Sequence, residues 1–291
     1  MLQLQLIQIY CLVCECYTTK SCLHYQRQSN NYNPRFTDAE AITIYLFGIL
    51  QGKFTNRSSY DYIVNHWLDW FPDLPSYQAY NFRINELYWH FEVIISYLVN
   101  QIDYSDCYTN VCLIDSLPII LAKHPDRAKV APMIASKGYC DAKAQYYHGV
   151  KLHCLGRDRF EQIPKLSTIR ITAANVHDLT AAKPILTQLN NQYIIGDRAY
   201  ASEPLNQLIK QNNSSVLTPV KLKKGQKTKS AQESMFSKYI SAIRQPIESF
   251  FRWLINKTDI QNAAKVRSEK ALWTHCLGRV AAALILFIIN P

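Results

Sequence analysis

The chain lacks the features of fibrous, disordered, membrane-spanning or secreted proteins. Glycine and proline are scarce, with 8 and 12 among 291 residues, which excludes collagen-like and low-complexity chains. There is no run of 18 apolar residues, and the longest candidate, 280–289, is about half of a membrane span. We expect it to be a buried terminal helix, with no membrane partner. The amino terminus has no basic region, so we expect no secretory signal. The 48% hydrophobic composition indicates a globular chain.

Acidic side chains are outnumbered by basic ones after the first hundred residues. Residues 1–100 hold 6 of the 32 basic and 8 of the 22 acidic side chains, which leaves 26 basic and 14 acidic for the rest. This imbalance is typical of a protein that binds a polyanion such as DNA. A basic but merely solvated surface is the alternative.

The nine cysteines are odd in number, which favours reduced thiols over a disulfide framework. Five metal-binding side chains are close enough in sequence to suggest a zinc site: Cys11, Cys14, Cys16, Cys22 and His24. No second pair follows at the spacing of a zinc ribbon or finger, so incidental thiols are the favoured interpretation.

The first domain is predicted to be helical and to cover residues 1–105. Thr37 and Glu40 have the spacing of a capping box before an apolar helix. Three helices with a short turn before the last are predicted, and they indicate either a helix-turn-helix that binds DNA or a supporting domain. In the first case the third helix presents Gln78, Asn81, Arg83 and Asn85.

The second domain is predicted to be α/β and to cover residues 106–291. Strand-like runs precede an alternation of helices and strands, which predicts a mixed sheet flanked by helices. The predicted strands are 111–120, 147–155, 167–174, 193–197 and 215–219. The later helices are 179–189, 203–211, one long helix or a broken pair over 231–257, and 269–289.

Three carboxylates stand out in this second domain. Asp115 lies inside an apolar strand, Asp197 follows a short apolar strand, and Glu248 lies on a late helix. Open α/β sheets place their ligands at the carboxyl ends of strands, so Asp115 and Asp197 are expected to meet there. A buried aspartate is costly unless it is paired or binds a metal ion.

Carboxylates from separate elements are the ligands that Mg²⁺ or Mn²⁺ prefers, and two such ions catalyse phosphoryl transfer. The sequence therefore predicts a two-metal site for phosphoryl transfer on DNA. Asp115 would bridge both ions, Asp197 would hold one, and Glu248 would complete the other.

Each carboxylate also has an alternative role. Asp115 could be held by an ion pair. Asp197 could pair with Arg198 or cap the next helix, and Glu248 could pair with Arg244 at the i, i+4 spacing.

DNA contacts are expected from basic side chains near these carboxylates. Arg244 shares a helix face with Glu248 and could bind a phosphate. The connector 221–229 carries five lysines and is either a phosphate-binding segment or a solvated linker. The predicted DNA-binding residues are Arg198, Arg244, Lys221, Lys223, Lys224, Lys227, Lys229, Arg252 and Lys257.

The motifs 113–116 (LIDS), 196–200 (GDRAY) and 244–250 (RQPIESF) resemble those of DDE transposases of bacterial insertion sequences. Residues 175–178 (NVHD) also resemble the segment before the second aspartate of that family. The spacing fits, with 81 residues between Asp115 and Asp197 and 50 between Asp197 and Glu248. One branch has Tyr-x2-Arg-x3-Glu-x6-Lys around the glutamate, and here Ser241 and Ile255 replace its Tyr and Lys.

The resemblance implies an RNase H-like catalytic domain that cleaves DNA at terminal inverted repeats and transfers the freed 3′-hydroxyl to target DNA. It also implies double-stranded DNA as the partner, a homodimer or larger synaptic assembly, and a cytoplasmic, nucleoid-associated location in a bacterium. Two rival functions remain: an RNase H-like nuclease without strand transfer, and a non-catalytic DNA-binding protein derived from a mobile element.

Overall fold

A computed structural model describes residues 2–20, 34–140, 143–222, 226 and 228–289. The described chain forms two compact units. The first combines Met1–Ile102 with Leu254–Pro291, and the second is Asp103–Trp253.

The first unit is helical. Thr37 and Glu40 form the predicted capping box, in which the Thr37 side chain accepts from the Glu40 amide and Glu40 accepts from the Thr37 amide. Gly52 follows this helix with a positive φ of 72°, a conformation that suits glycine. The helices are α1 Leu2–Thr19, α2 Asp38–Leu50, α3 Asn56–His66, α4 Tyr77–Glu86, α5 Tyr88–Gln101 and, from the carboxyl-terminal part, α9 Glu269–Ile289.

The terminal helix α9 packs against α5 and α2. By length and composition it could cross a membrane, but 78% of its apolar window is buried inside the protein. The buried guanidinium of Arg279 donates to the carbonyls of Thr258 and Phe54 and to the Tyr45 hydroxyl. The prediction of a buried terminal helix is therefore confirmed.

The predicted third helix is divided in two, since α4 ends before Leu87 and α5 begins after it. Arg83 does not extend from it as a DNA-reading side chain. It forms an ion pair with the fully buried Asp38 at the start of α2. Of the other polar residues predicted to face DNA, Gln78 is exposed, and Asn81 and Asn85 are partly buried.

The second unit is built on a six-stranded mixed sheet. β3 pairs antiparallel with β1 on one side and with β2 and β4 on the other, while β1, β5 and β6 run parallel. This confirms the predicted RNase H-like α/β fold. The elements are β1 Cys107–Ala122, β2 Ser136–Cys140, β3 Gln145–Arg159, β4 Gln162–Ala173, α6 Asp178–Leu186, β5 Tyr193–Ile195, α7 Glu203–Lys210, β6 Ser215–Leu217 and α8 Ala231–Thr258.

Helices α6 and α7 cover the parallel part of the sheet, because their apolar faces pack on the apolar strands β1, β5 and β6. The shared core consists of Cys112, Ile114, Leu155, Ala182, Leu186, Ile194, Tyr200, Leu205, Ile209 and Val216. This core fixes the strand ends that carry the candidate site.

The change from helices to sheet lies between Gln101, the last residue of α5, and Cys107, the first residue of β1. The packing units differ from the predicted domains in the carboxyl-terminal part, since residues from 254 onward pack with the amino-terminal helices. As functional divisions, the domains 1–105 and 106–291 stay a prediction.

Candidate active site

The inner strands β1 and β5 are neighbours in the sheet, and they carry Asp115 and Asp197. The parallel register pairs Leu113 with Ile195, and each aspartate lies two residues beyond its member of that pair. Neighbouring strands are about 4.8 Å apart. Asp115, inside β1, therefore lies level with the chain just beyond the end of β5, where Asp197 follows.

Gly196 makes this arrangement possible. A Cβ built on it would lie 2.8 Å from the Tyr200 ring and 2.9 Å from the Ile114 side chain, so there is no room for a larger residue. The chain then turns at Asp197, whose Oδ1 accepts a 2.8 Å hydrogen bond from the Ala199 amide. This short turn holds Asp197 at the end of β5.

Helix α8 contributes Glu248 and Arg244. Ile247 and Phe250 are buried, whereas Glu248 is exposed. The Arg244 guanidinium donates to Asp115 Oδ2 at 2.8 Å and also forms an ion pair with Glu248. One arginine thus links a carboxylate of the sheet to a carboxylate of the helix.

The electrostatics of Asp115 show that the three carboxylates interact. Burial raises the pKa of Asp115 to about 7, although Arg244 and the Ser116 amide lower it. The negative charges of Asp197 and Glu248 raise the pKa further. Asp115 therefore lies within electrostatic reach of both other carboxylates.

All three carboxylates also have local partners that the alternative interpretation of the sequence allows. Asp115 and Glu248 pair with Arg244, and Asp197 caps the turn that follows it. Among the described residues, no three Asp, Glu, His or Cys side chains are arranged to hold a metal ion. The oxygen donors nevertheless suit a hard divalent cation, and the guanidinium lies where a positive charge balances them.

The predicted DNA-binding residues have different surroundings. Lys229 is half-buried and donates to the Ser237 hydroxyl at 2.9 Å. Lys223, Lys224 and Lys227 lie outside the described residues. The exposed members of the set are Arg198, Lys221, Arg252 and Lys257.

Only some of the suggested zinc ligands lie within the described residues. Cys22 and His24 lie outside the described residues. Cys11, Cys14 and Cys16 lie on α1, where Cys16 is buried and Cys11 is exposed.

A polar cluster beside the site was not predicted from the sequence. Asp178 forms a 3.0 Å ion pair with Lys151, and its carboxylate lies 3.9 Å from His153. Burial lowers the pKa of His153 to about 4, so this histidine is neutral at pH 7. The negative charges of Asp178, Asp115 and Asp197 all raise the pKa of the buried Tyr200, which places Asp178 in the same neighbourhood.

The sequence feature that indicates this cluster is the segment 175–178, which resembles the segment before the second aspartate of DDE transposases. From the sequence, His177 is expected to be a turn residue or a group that supports the site. In the structure His177 accepts from the Leu179 amide and caps α6. The side chain of Asp178, next to it, is the one that faces the cluster.

The strand order, with Asp115 inside β1 and Asp197 just beyond the end of β5, places the chain in the RNase H-like class. Residues 109–286 match the family model described as Transposase DDE domain. This is more than half of the chain, and the chain belongs to that family. No curated protein and no solved structure matches it. The family consists of transposases, which act on DNA and generally use divalent metal ions.

Proposed function

We propose that the chain is a transposase that cleaves DNA at the terminal inverted repeats of an insertion sequence and joins the freed 3′ end to target DNA. The observation that carries this proposal is the pairing of β1 with β5, which places Asp115 level with the end of β5 that precedes Asp197. Arg244 adds the link to the helix, since it forms ion pairs with both Asp115 and Glu248. All three residues fall within the family match.

Asp115, Asp197 and Glu248 would hold two Mg²⁺ or Mn²⁺ ions. When bound, such ions make the attacking oxygen more acidic and neutralise charge on the reacting phosphate. Asp115 is the central ligand because it comes from the middle of the sheet and interacts with both other carboxylates.

Arg244 acts as a counter-charge before divalent ions bind. Its guanidinium pairs with two of the proposed ligands, Asp115 and Glu248. Cations that bind these carboxylates compete with it. Once released, the guanidinium can bind a DNA phosphate through two parallel hydrogen bonds.

The proposed reaction has two steps. Water attacks a phosphorus atom at the element end, the P–O3′ bond breaks, and the leaving oxygen takes up a proton to give a 3′-hydroxyl. That hydroxyl then attacks a phosphorus atom of target DNA. A new P–O3′ bond forms, and the broken target strand leaves with its own 3′-hydroxyl.

The proposed partners follow from this reaction. Double-stranded DNA with inverted repeats supplies two ends, so we expect a homodimer or larger synaptic assembly. Arg198, Lys221 and Arg252 are exposed basic residues that can contact its phosphates. We place this activity in the cytoplasm, at the nucleoid.

The test uses purified full-length protein and a DNA fragment that contains both ends of the element encoding it. We expect Mg²⁺-dependent nicked and joined products on denaturing gels from the wild-type chain. Asp115→Ala, Asp197→Ala and Glu248→Ala are each expected to abolish both products while DNA binding is retained.

Asp126→Ala serves as the matched control, since Asp126 is 80% exposed and, among the described residues, pairs only with the surface residue Lys137. It should cleave as the wild type does. Nicking without joined products would favour the nuclease. DNA binding without any cleavage would favour the non-catalytic protein.

A further inference from the structure

A cavity of about 550 Å³ lies in the first unit, between α3, α4 and the loop 259–268 that precedes α9. This volume is in the range of roughly 300–1,000 Å³ that is typical of small-ligand sites. The proposed catalytic residues Asp115, Asp197 and Glu248 do not line it. The cavity is therefore a separate candidate binding site.

The charged groups around this cavity favour an anion. Its described lining residues include four cations, Arg57, Lys265, Arg267 and Arg279, against one carboxylate, Asp259. Lys265 is exposed and has no ion-pair partner among the described residues. Arg267 holds the loop through the Ala264 and Val266 carbonyls with one nitrogen, which leaves its other N–H groups for a ligand.

The helical wall of the cavity presents amide side chains. Asn56 donates to Asn81 Oδ1 at 2.9 Å, and Asn85 donates to the Asn81 carbonyl at 2.8 Å. Asn85 Oδ1 is buried and receives no hydrogen bond from the described protein. The side-chain NH2 group of Asn81 likewise has no acceptor among the described residues. The wall thus carries one unused donor and one unused acceptor within a turn of helix, and the acceptor is shielded from solvent.

A donor and an acceptor on asparagine side chains match the edge of a nucleobase. Cations at the rim match the phosphate attached to it. Arg57 is already held at the rim, because its guanidinium lies 5.0 Å from the centre of the Tyr77 ring and pairs with Asp61. The cavity holds about one nucleotide and is too small for a duplex.

We propose that this cavity binds one unpaired nucleotide of the DNA substrate. Its base edge contacts Asn81 and Asn85, and its phosphate contacts Lys265 and Arg267. The inference rests on the proposed function, since it takes DNA to be the substrate. It adds a nucleotide-binding site that is separate from the three carboxylates.

Fluorescence anisotropy of the full-length protein with a labelled single-stranded oligonucleotide of mixed sequence tests the proposal over a series of NaCl concentrations. Lys265→Glu is expected to weaken binding and to reduce the slope of log K against log salt by about 0.7 for each phosphate that the variant no longer neutralises. Asn85→Leu is expected to weaken binding about tenfold.

Lys270→Glu is the matched control. Lys270 lies in the first turn of α9, five residues after Lys265, and is half exposed, but it pairs with Glu86 and does not line the cavity. Lys265 is exposed, so its charge reversal removes no core packing. The Lys265→Glu variant therefore tests the site even if Asn85→Leu does not fold. Circular dichroism of each variant would reveal a folding defect.

Three results would overturn the proposal. Lys265→Glu could bind the oligonucleotide as tightly as the wild type does, or Lys270→Glu could weaken binding equally. Lys265→Glu could also weaken binding to a blunt duplex as much as it weakens binding to the single strand. That result would show general binding to the DNA backbone instead of a nucleotide site. If the wild-type chain cleaves its ends while these variants bind normally, only this inference fails. If it neither binds nor cleaves DNA, the proposed function fails as well.

Discussion

At the scale of single residues, Asp115 lowers the stability of the fold at neutral pH. Its pKa is raised by burial to about 7, against about 3.9 for an unfolded aspartate. The unfolded chain therefore loses this proton at a lower pH than the folded chain does. The free energy of unfolding should fall as the pH rises from about 4 to about 7, and this contribution should stay constant above that.

Asp115→Asn should consequently stabilise the protein in the absence of divalent ions. We expect a gain of about 1–3 kcal/mol at pH 8, where loss of the Arg244 ion pair offsets part of the effect. The gain should be smaller at pH 5, because Asp115 is already protonated in the folded protein at that pH. Urea unfolding at both pH values measures it, with Asp126→Asn as the exposed control. An equal gain at both values would show that Asp115 has an ordinary pKa.

Gly196 is the residue that sets the geometry beside Asp197. A Cβ there would be too close to Tyr200 and Ile114, so Gly196→Ala should cost about 1–3 kcal/mol and displace Asp197. Cleavage should therefore fall even below the unfolding temperature. Gly52→Ala is the control, since a Cβ there meets open space and only its positive φ is strained, at a cost of about 1 kcal/mol. Full cleavage by Gly196→Ala would contradict this role.

At the scale of elements, periodicity and caps predicted most helices and strands. The capping box at Thr37 and the apolar strand around Asp115 are local signals, and both were found. The break at Leu87 was missed, because it leaves the apolar period of α4 and α5 intact. The five-residue strand β2 was also missed, since its sequence SKGYC has no clear alternation and is defined only by pairing with β3.

The start of β1 is joined to β3 and β4 by one carboxylate. Burial raises the pKa of Asp106, but hydrogen bonds from Lys165 and Arg159 outweigh this and lower the pKa to about 2. The side chains of Lys165 and Arg159 are only 5% and 8% exposed. Because the folded pKa is below the unfolded one, this stabilisation is present above about pH 4 and lost as the pH falls through about 2.

Asp106→Asn should therefore destabilise the second unit, since it leaves two buried cations without their carboxylate. Asp106 itself is 43% exposed, so solvent screening limits the cost to about 1–2 kcal/mol. Guanidinium unfolding at pH 7 measures the loss, and the difference from wild type should shrink towards pH 2. Asp126→Asn, whose partner Lys137 is exposed, should have almost no effect.

At the scale of the whole molecule, the sequence indicates the local pair of Arg244 with Glu248 but not the distant contact of Arg244 with Asp115. The strand order follows from local patterns and the handedness of crossover connections, and it brings Asp115 beside Asp197. The contact between Arg244 and Asp115 joins residues 129 positions apart, and no periodicity encodes it. The same limit applies to α9, whose apolar residues predict burial without saying which helices cover them.

Arg279 connects the amino-terminal and carboxyl-terminal segments of the chain within the first unit. Its guanidinium is buried and donates to the carbonyls of Phe54 and Thr258 and to the Tyr45 hydroxyl, which lie up to 234 positions away in sequence. Arg279→Met leaves these acceptors without their donor, at a cost of about 2–4 kcal/mol. The first unit should then unfold at a lower temperature.

Tryptophan fluorescence reports this unit, because four of the five tryptophans, at 67, 70, 89 and 273, belong to it. Lys270→Ala on the same helix is the control, since Lys270 forms only a partly exposed pair with Glu86. If Arg279→Met leaves the fluorescence transition in place, α9 is held by its apolar face alone. If the transition moves while DNA cleavage persists below it, the buried guanidinium stabilises the unit without taking part in the chemistry.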